Sequence, residues 1–128
     1  EYPESVEIEQ KIVSEKSEKV DVKVPDELLS LAVNFIKILR DDDRLSRKPS
    51  VRASMGLYER AQSNALLKGK KTVGFEDLRE AVNSVLSHRI ELKPSVKYLK
   101  SPVEFIEEEF KKVSGDYEEM GEKSGEGP

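Results

Sequence analysis

Arg47-Lys48-Pro49-Ser50-Val51-Arg52-Ala53-Ser54 sets a basic loop directly against the start of a helix. Ser50 is the expected N-cap, its hydroxyl accepting from a free backbone N–H of the first turn. Arg52 then falls in that turn, where the helix macrodipole is already positive, so the cation is mildly unfavourable for the helix alone. Beside exposed N–H groups the same cation completes an anion site, and phosphate is its natural ligand. The residues alone leave two readings open: Arg52 is a phosphate ligand, or it is a solvated surface side chain.

The rest of the chain can be laid out around that helix. It runs to about Lys68, with Gly69 suited to the C′ position, and its inner side is Met55, Tyr58, Ala61, Ala65 and Leu66. Before it, Leu28, Leu29, Ala32, Phe35, Ile36 and Leu39 recur at i, i+1, i+4, i+7, i+8 and i+11, a single helical face. Leu31, Val33 and Ile38 widen that face, which makes this second helix the most buried one. Asp41-Asp42-Asp43 ends it, because three negative charges would sit at a negative helix terminus. Residues 41–49 then read as a loop. A first helix is expected over about residues 3–14, with Pro3 at N1, Glu4 and Glu7 near its N-terminus, and a thin apolar stripe of Val6, Ile8, Ile12 and Val13. Val20-Asp21-Val22-Lys23-Val24 alternates apolar and polar residues and reads as a short strand, with Thr72-Val73 as its candidate partner.

A fourth helix starts at Gly74 or Phe75, places Glu76 and Asp77 in its first turn, and turns Phe75, Leu78, Val82, Val85 and Leu86 inward. Its end near His88-Arg89 puts positive charge where the dipole is negative. Beyond Pro94 a linker leads to Ser101-Pro102-Val103-Glu104, a capping-box spacing with Pro at N1. Val103, Ile106, Phe110 and Val113 mark a short fifth helix. From Ser114 onward Gly, Glu and Ser dominate and no period survives, so residues 114–128 are expected to be a disordered tail.

Charged residues (38%) outnumber hydrophobic ones (36%) across 128 residues, which favours short amphipathic elements around one modest core over a large buried sheet. The absence of Cys excludes disulfides, cysteine-based zinc clusters and thiol nucleophiles. No apolar run approaches the ~20 residues that span a bilayer, and no signal-peptide pattern occurs, so the chain reads as cytoplasmic. It begins at Glu1 and not Met, which is expected of a piece of something longer. The net charge of −4 hides an asymmetry: between Arg44 and Lys71 eight basic residues stand against Glu59 alone, a local +7, while both ends are acidic. Such a middle suits phosphate, nucleic acid or an acidic protein surface.

Catalytic chemistry is absent from the sequence. There is no G-x-x-x-x-G-K-[S/T] loop, and Gly69-Lys70-Lys71-Thr72 lacks its upstream glycine and preceding buried strand. His88 is the sole histidine, which removes any multi-His metal cage. The carboxylates read as solvated faces, and no buried acid/base pair emerges. No metal site is expected.

Taken in order, Tyr2-Pro3, Ser50-Val51-Arg52-Ala53-Ser54, Leu57-Tyr58-Glu59-Arg60-Ala61-Gln62, Ala65-Leu66-Leu67-Lys68-Gly69-Lys70-Lys71, Phe75-Glu76-Asp77-Leu78 and Val85-Leu86-Ser87-His88-Arg89-Ile90 form a pattern. It resembles the C-terminal helical lid of AAA+ ATPases in the MoxR and magnesium-chelatase ATPase-subunit group, over roughly residues 2–92. The resemblance implies an all-α, four- to five-helix lid bundle with at most one short two-stranded β pair. It divides the chain into a lid over residues 1–92, a linker and extra helix over 93–113, and the tail over 114–128. It implies that Arg52 is the sensor-2 arginine, reaching with Ser50 toward the γ-phosphate of ATP. ATP and Mg²⁺ would be bound by the full-length parent, not tightly by this chain. The implied partners are the chain's own upstream AAA+ core, neighbouring subunits of a hexameric ring, and a von Willebrand A domain protein, with no membrane. The chain alone is expected not to be an enzyme, since the family's Walker A, Walker B and sensor-1 elements lie upstream of the lid. Two departures stand out. Gly74 occupies the place of a Thr or Ser cap, and Arg47-Lys48 stand where the family often carries glycine.

The competing reading is a stand-alone helical nucleic-acid-binding module with a histone-like helix pattern. The basic third helix supports it. Its core-type alanines, the acidic whole chain and the lack of an aromatic stacking platform oppose it.

Overall fold

A computed structural model describes residues 5–16 and 22–123, with side chains over 5–14 and 22–115. Helices α1 (Val6–Lys16), α2 (Asp26–Arg40), α3 (Val51–Leu67), α4 (Phe75–Ala81), α5 (Pro94–Lys97) and α6 (Pro102–Lys123) form an all-α bundle. One two-stranded sheet, β1 (Leu45–Arg47) with β2 (Glu91–Leu92), completes it. The expected Pro3, Glu4, Val20 and Asp21 contributions lie outside the described residues.

α2 is the central helix. Pro25 precedes it with an extended backbone and accepts from the N–H groups of Leu28 and Leu29. Asp26 and Glu27 complement its positive end, Lys37 and Arg40 its negative end. Leu28, Leu29, Ala32, Val33, Phe35, Ile36 and Leu39 are buried as the periodicity requires. Ile38 is not, because it shares the outer stripe with Asn34, Lys37 and Asp41 at i, i+3, i+4 and i+7.

α3 lies across α2 and against α4. Its buried side is Ala53, Ser54, Leu57, Ala61, Gln62 and Ala65, with Met55 and Tyr58 partly covered. Leu66, expected inside, is half exposed because it has rotated past that stripe. Gly69 ends the helix with φ +74, as a C′ residue does. The N–H of Lys70 reaches the carbonyl of Ala65 and that of Gly69 the carbonyl of Leu66, the two bonds of a Schellman motif.

α4 passes directly into a wider turn of π-helix over Val82–Leu86, which packs on α3 and α6. Val82 and Leu86 are fully buried there.

The loop expected over 41–49 contains β1. Leu45 pairs with Leu92 and Arg47 with Glu91, both leucines buried, and the Lys93 N–H donates to the Arg44 carbonyl. Thr72 and Lys23 also meet, but as one parallel bridge and not as a ladder.

α6 begins with the capping box read from its sequence: Ser101 Oγ accepts from Glu104 N–H at 3.1 Å, and Glu104 Oε1 accepts from Ser101 N–H at 2.9 Å. Its inner face is Phe105, Ile106, Glu109, Phe110 and Ser114, so Val103, expected inside, points out. Phe110 stands edge-on to Phe35 at 5.1 Å and stacks on Phe75 at 6.0 Å. α6 therefore completes the main core. It also continues to Lys123, past the expected end at Val113 and into the stretch expected to lack structure. Ser114 is buried at the core's edge, and Glu118, Glu119, Met120, Glu122 and Lys123 beyond it are strong helix formers.

α1 packs on α2 and α3 through a second, smaller cluster of Val13, Leu29 and Val33, with Val6, Met55 and Tyr58 partly covered around it. Its inner stripe is Val6, Glu9 and Val13; Ile8, expected there, is exposed, and a carboxylate takes the middle place.

Candidate functional site

Three neighbouring elements fix the start of α3. β1 precedes it and is stapled to β2. α2 ends beside it at Arg40. α1 lies over its first turn. Ser50 is the N-cap, with φ −95 and ψ 179, as the sequence requires. Its hydroxyl makes no capping hydrogen bond, contrary to expectation. The physical reason lies in the backbone: the Ser50 carbonyl already takes the N–H groups of Ala53 and Ser54, and the exposed hydroxyl faces water. The first turn therefore carries neither a side-chain cap nor an acidic residue to meet its dipole.

Arg52 stands on that turn, exposed, with no hydrogen bond or ion pair to any described residue. The remaining basic residues of the +7 stretch are mostly engaged. Arg47 Nη2 donates to the His88 carbonyl at 3.2 Å, and Lys48 Nζ to the Arg40 carbonyl at 2.8 Å. Arg44 pairs with Asp42 at 2.7 Å and Glu109 at 3.1 Å, and its guanidinium lies over the Phe105 ring at 4.7 Å. The hydrogen bond to Arg44 is the main cause that holds the Asp42 carboxyl below its ordinary pKa, and the same bond raises that of Arg44. Lys68 and Lys70 both reach Asp77, at 2.8 and 2.6 Å. A groove-tracking row of free cations, which a nucleic-acid module needs, is not what these side chains make. Arg47 and Lys48 thus hold the turn at His88 and the last carbonyl of α2, and so order the approach to α3.

Beneath the turn lies an enclosed polar group that the sequence did not reveal. Arg40 Nη1 and Nη2 donate to Glu9 Oε1 and Oε2 at 2.6 and 2.8 Å, a fork-to-fork pair. Arg40 Nε donates to the Pro49 carbonyl at 2.9 Å, and Ser54 Oγ donates to Glu9 Oε2 at 2.5 Å. Glu9, Arg40 and Ser54 are all buried. The signal was present in the spacing: Glu9 is four residues before Val13, and Arg40 four after Ile36, so opposite charges sat on two inner faces.

Asp77 is the second missed carboxylate. It is wholly enclosed. Burial alone would push its pKa up, but hydrogen bonds from Lys68, Lys70 and the Gly74 N–H hold it below the ordinary carboxylate value. That last bond, 2.8 Å long, starts α4 where the sequence offers glycine in place of a hydroxyl cap.

Among the described residues, no group of three or more His, Asp or Glu side chains is placed to hold a metal ion, and no helix is long and apolar enough to cross a membrane. No curated protein and no solved structure matches the chain. The family profile of the AAA lid domain matches residues 42–109. That is more than half of the chain, and it spans β1, α3, α4, β2, α5 and the first part of α6. The match and the resemblance over 2–92 share the stretch that carries Ser50 and Arg52. The chain belongs to the AAA lid domain family and is a lid of an AAA+ ATPase.

Proposed function

We propose that this lid serves an ATPase of the MoxR and magnesium-chelatase type, and that Arg52 is its sensor-2 arginine. The observation that carries this reading is the exposed Arg52 on an uncapped first turn, with no partner among the described residues, inside the family-matched stretch. A cation held against its own helix dipole has no counter-charge among the described residues. The γ-phosphate of ATP, held by an upstream core together with Mg²⁺, supplies that charge. Ser50 contributes its position at the mouth of the turn and its solvent-facing hydroxyl. In this reading the lid reports nucleotide state to the neighbouring subunits of a ring, and the whole assembly works on a partner such as a von Willebrand A domain protein. The chemistry of transfer lies with the core; the lid contributes charge stabilisation as negative charge builds on the transferred phosphoryl group.

The test is ATP hydrolysis by the full-length parent carrying Arg52→Lys or Arg60→Ala. Arg60 is exposed on the same helix, about two turns further on. Arg52→Lys is expected to lose most of the activity, because an ammonium does not reproduce the planar fork, whereas Arg60→Ala keeps it. Equal effects of the two substitutions would refute the assignment.

A further inference from the structure

Glu9 and Arg40 are almost closed to solvent, their side chains 3% and 5% exposed. A pair this buried is a weak source of stability, because desolvation offsets much of the attraction. Apolar side chains of similar volume would hold α1 on α2 equally well. The pair does something they would not: it directs hydrogen bonds to two points of one helix end. Arg40 Nε takes the Pro49 carbonyl, just before the N-cap, and Glu9 Oε2 takes the Ser54 hydroxyl, within the first turn. Lys48 Nζ closes the same loop back onto the Arg40 carbonyl. Ser54 and Arg52 are two residues apart, about 200° around the helix. The clamp therefore grips the inner side of the turn while Arg52 stands on the outer side.

We propose that Glu9 and Arg40 are positioning residues for Arg52, with α1 as a strap that fixes the direction of the first turn of α3. The proposal rests on the reading of Arg52 as a phosphate-facing arginine. Glu9 and Arg40 lie outside the family-matched residues 42–109, whereas Pro49, Arg52 and Ser54 lie inside them. The matched helix thus takes its alignment from a helix that the match does not include. α1 is suited to this task. Its apolar attachment is the small cluster around Val13, so Glu9 is its main directional contact.

The test uses the 128-residue chain. Two variants are compared with wild type: Ser54→Ala, and the paired replacement Glu9→Leu with Arg40→Met, which leaves no buried charge behind. Amide hydrogen exchange is read along α3 and α4. The paired variant is expected to exchange at least about tenfold faster from Ala53 to Leu57, and Ser54→Ala several-fold faster, with α4 unchanged. Wild-type protection at those amides in a folded paired variant overturns the proposal. If the paired variant does not fold, unchanged protection in Ser54→Ala overturns it. A titration with inorganic tripolyphosphate, followed on the Arg52 side-chain signal, separates this from the reading beneath it. Wild type is expected to shift and saturate, with affinity at least about fivefold weaker in the paired variant. Equal affinities in the two overturn the positioning role and leave the phosphate reading intact. A wild-type Arg52 signal that does not move leaves the phosphate reading to hydrolysis by the full-length parent, and the exchange data still decide the clamp.

Discussion

Asp77 is a carboxylate without exposed surface whose charge is met from three directions, by Lys68, Lys70 and the Gly74 N–H. Because its folded pKa is depressed, the stability it contributes is present above the unfolded value of about 3.9 and is lost as pH falls through the folded value. Asp77→Asn is expected to destabilise the chain by about 2 kcal/mol at neutral pH, through the lost charge-assisted bonds to Lys68 and Lys70, while the amide oxygen still accepts from the Gly74 N–H. That difference should close below about pH 4, as chemical denaturation across a pH series would show; a difference constant down to pH 2 would contradict it. Arg52 is the opposite case. It touches no described partner, so Arg52→Ala should change lid stability by no more than about 0.5 kcal/mol. The position of Ser50 was legible from residue type, since N-caps follow local preference. The use of its hydroxyl was not, because it depends on how the backbone already satisfies the turn.

Helices longer than three turns could be read from the sequence because their apolar residues recur at the helical period, as Leu28 to Leu39 do. The strands could not. β1 has three residues and β2 two, too few for an alternation, and Leu45 finds Leu92 across a long stretch of chain. α5 was hidden for the same reason: four residues carry no period. Within helices the period does not sharpen the edge of the buried face, and Ile8, Ile38, Leu66 and Val103 lie just outside it. Phe110 joins Phe35 and Phe75 in one aromatic cluster, so Phe110→Ala should cost about 3–5 kcal/mol in unfolding free energy. A loss under 1 kcal/mol would mean that α6 is an appendage. At the other extreme, Gly69→Ala forces a side chain into the left-handed region and should cost about 1 kcal/mol.

At the scale of the whole molecule the charge pattern changes meaning on folding. The +7 stretch looked like a surface for polyanions. In the folded lid Arg44, Arg47, Lys48, Lys68 and Lys70 serve the architecture, and Arg52 is set apart by its place on an uncapped turn. Tertiary structure makes that distinction: Arg47 meets His88 and Arg44 meets Glu109 across long stretches of chain, while Lys68 and Lys70 reach Asp77 around the loop that joins α3 to α4. The whole chain is expected to show no ATP turnover of its own after rigorous purification, since it has no phosphate-cradling loop. The role of Arg52 is decided by steady-state ATP hydrolysis by the full-length parent carrying Arg52→Ala, measured beside the unfolding midpoint of the same variant in the 128-residue lid. Turnover is predicted to fall by about 100-fold while the midpoint stays near wild type. Undiminished turnover, or a lid that unfolds without Arg52, would contradict the account.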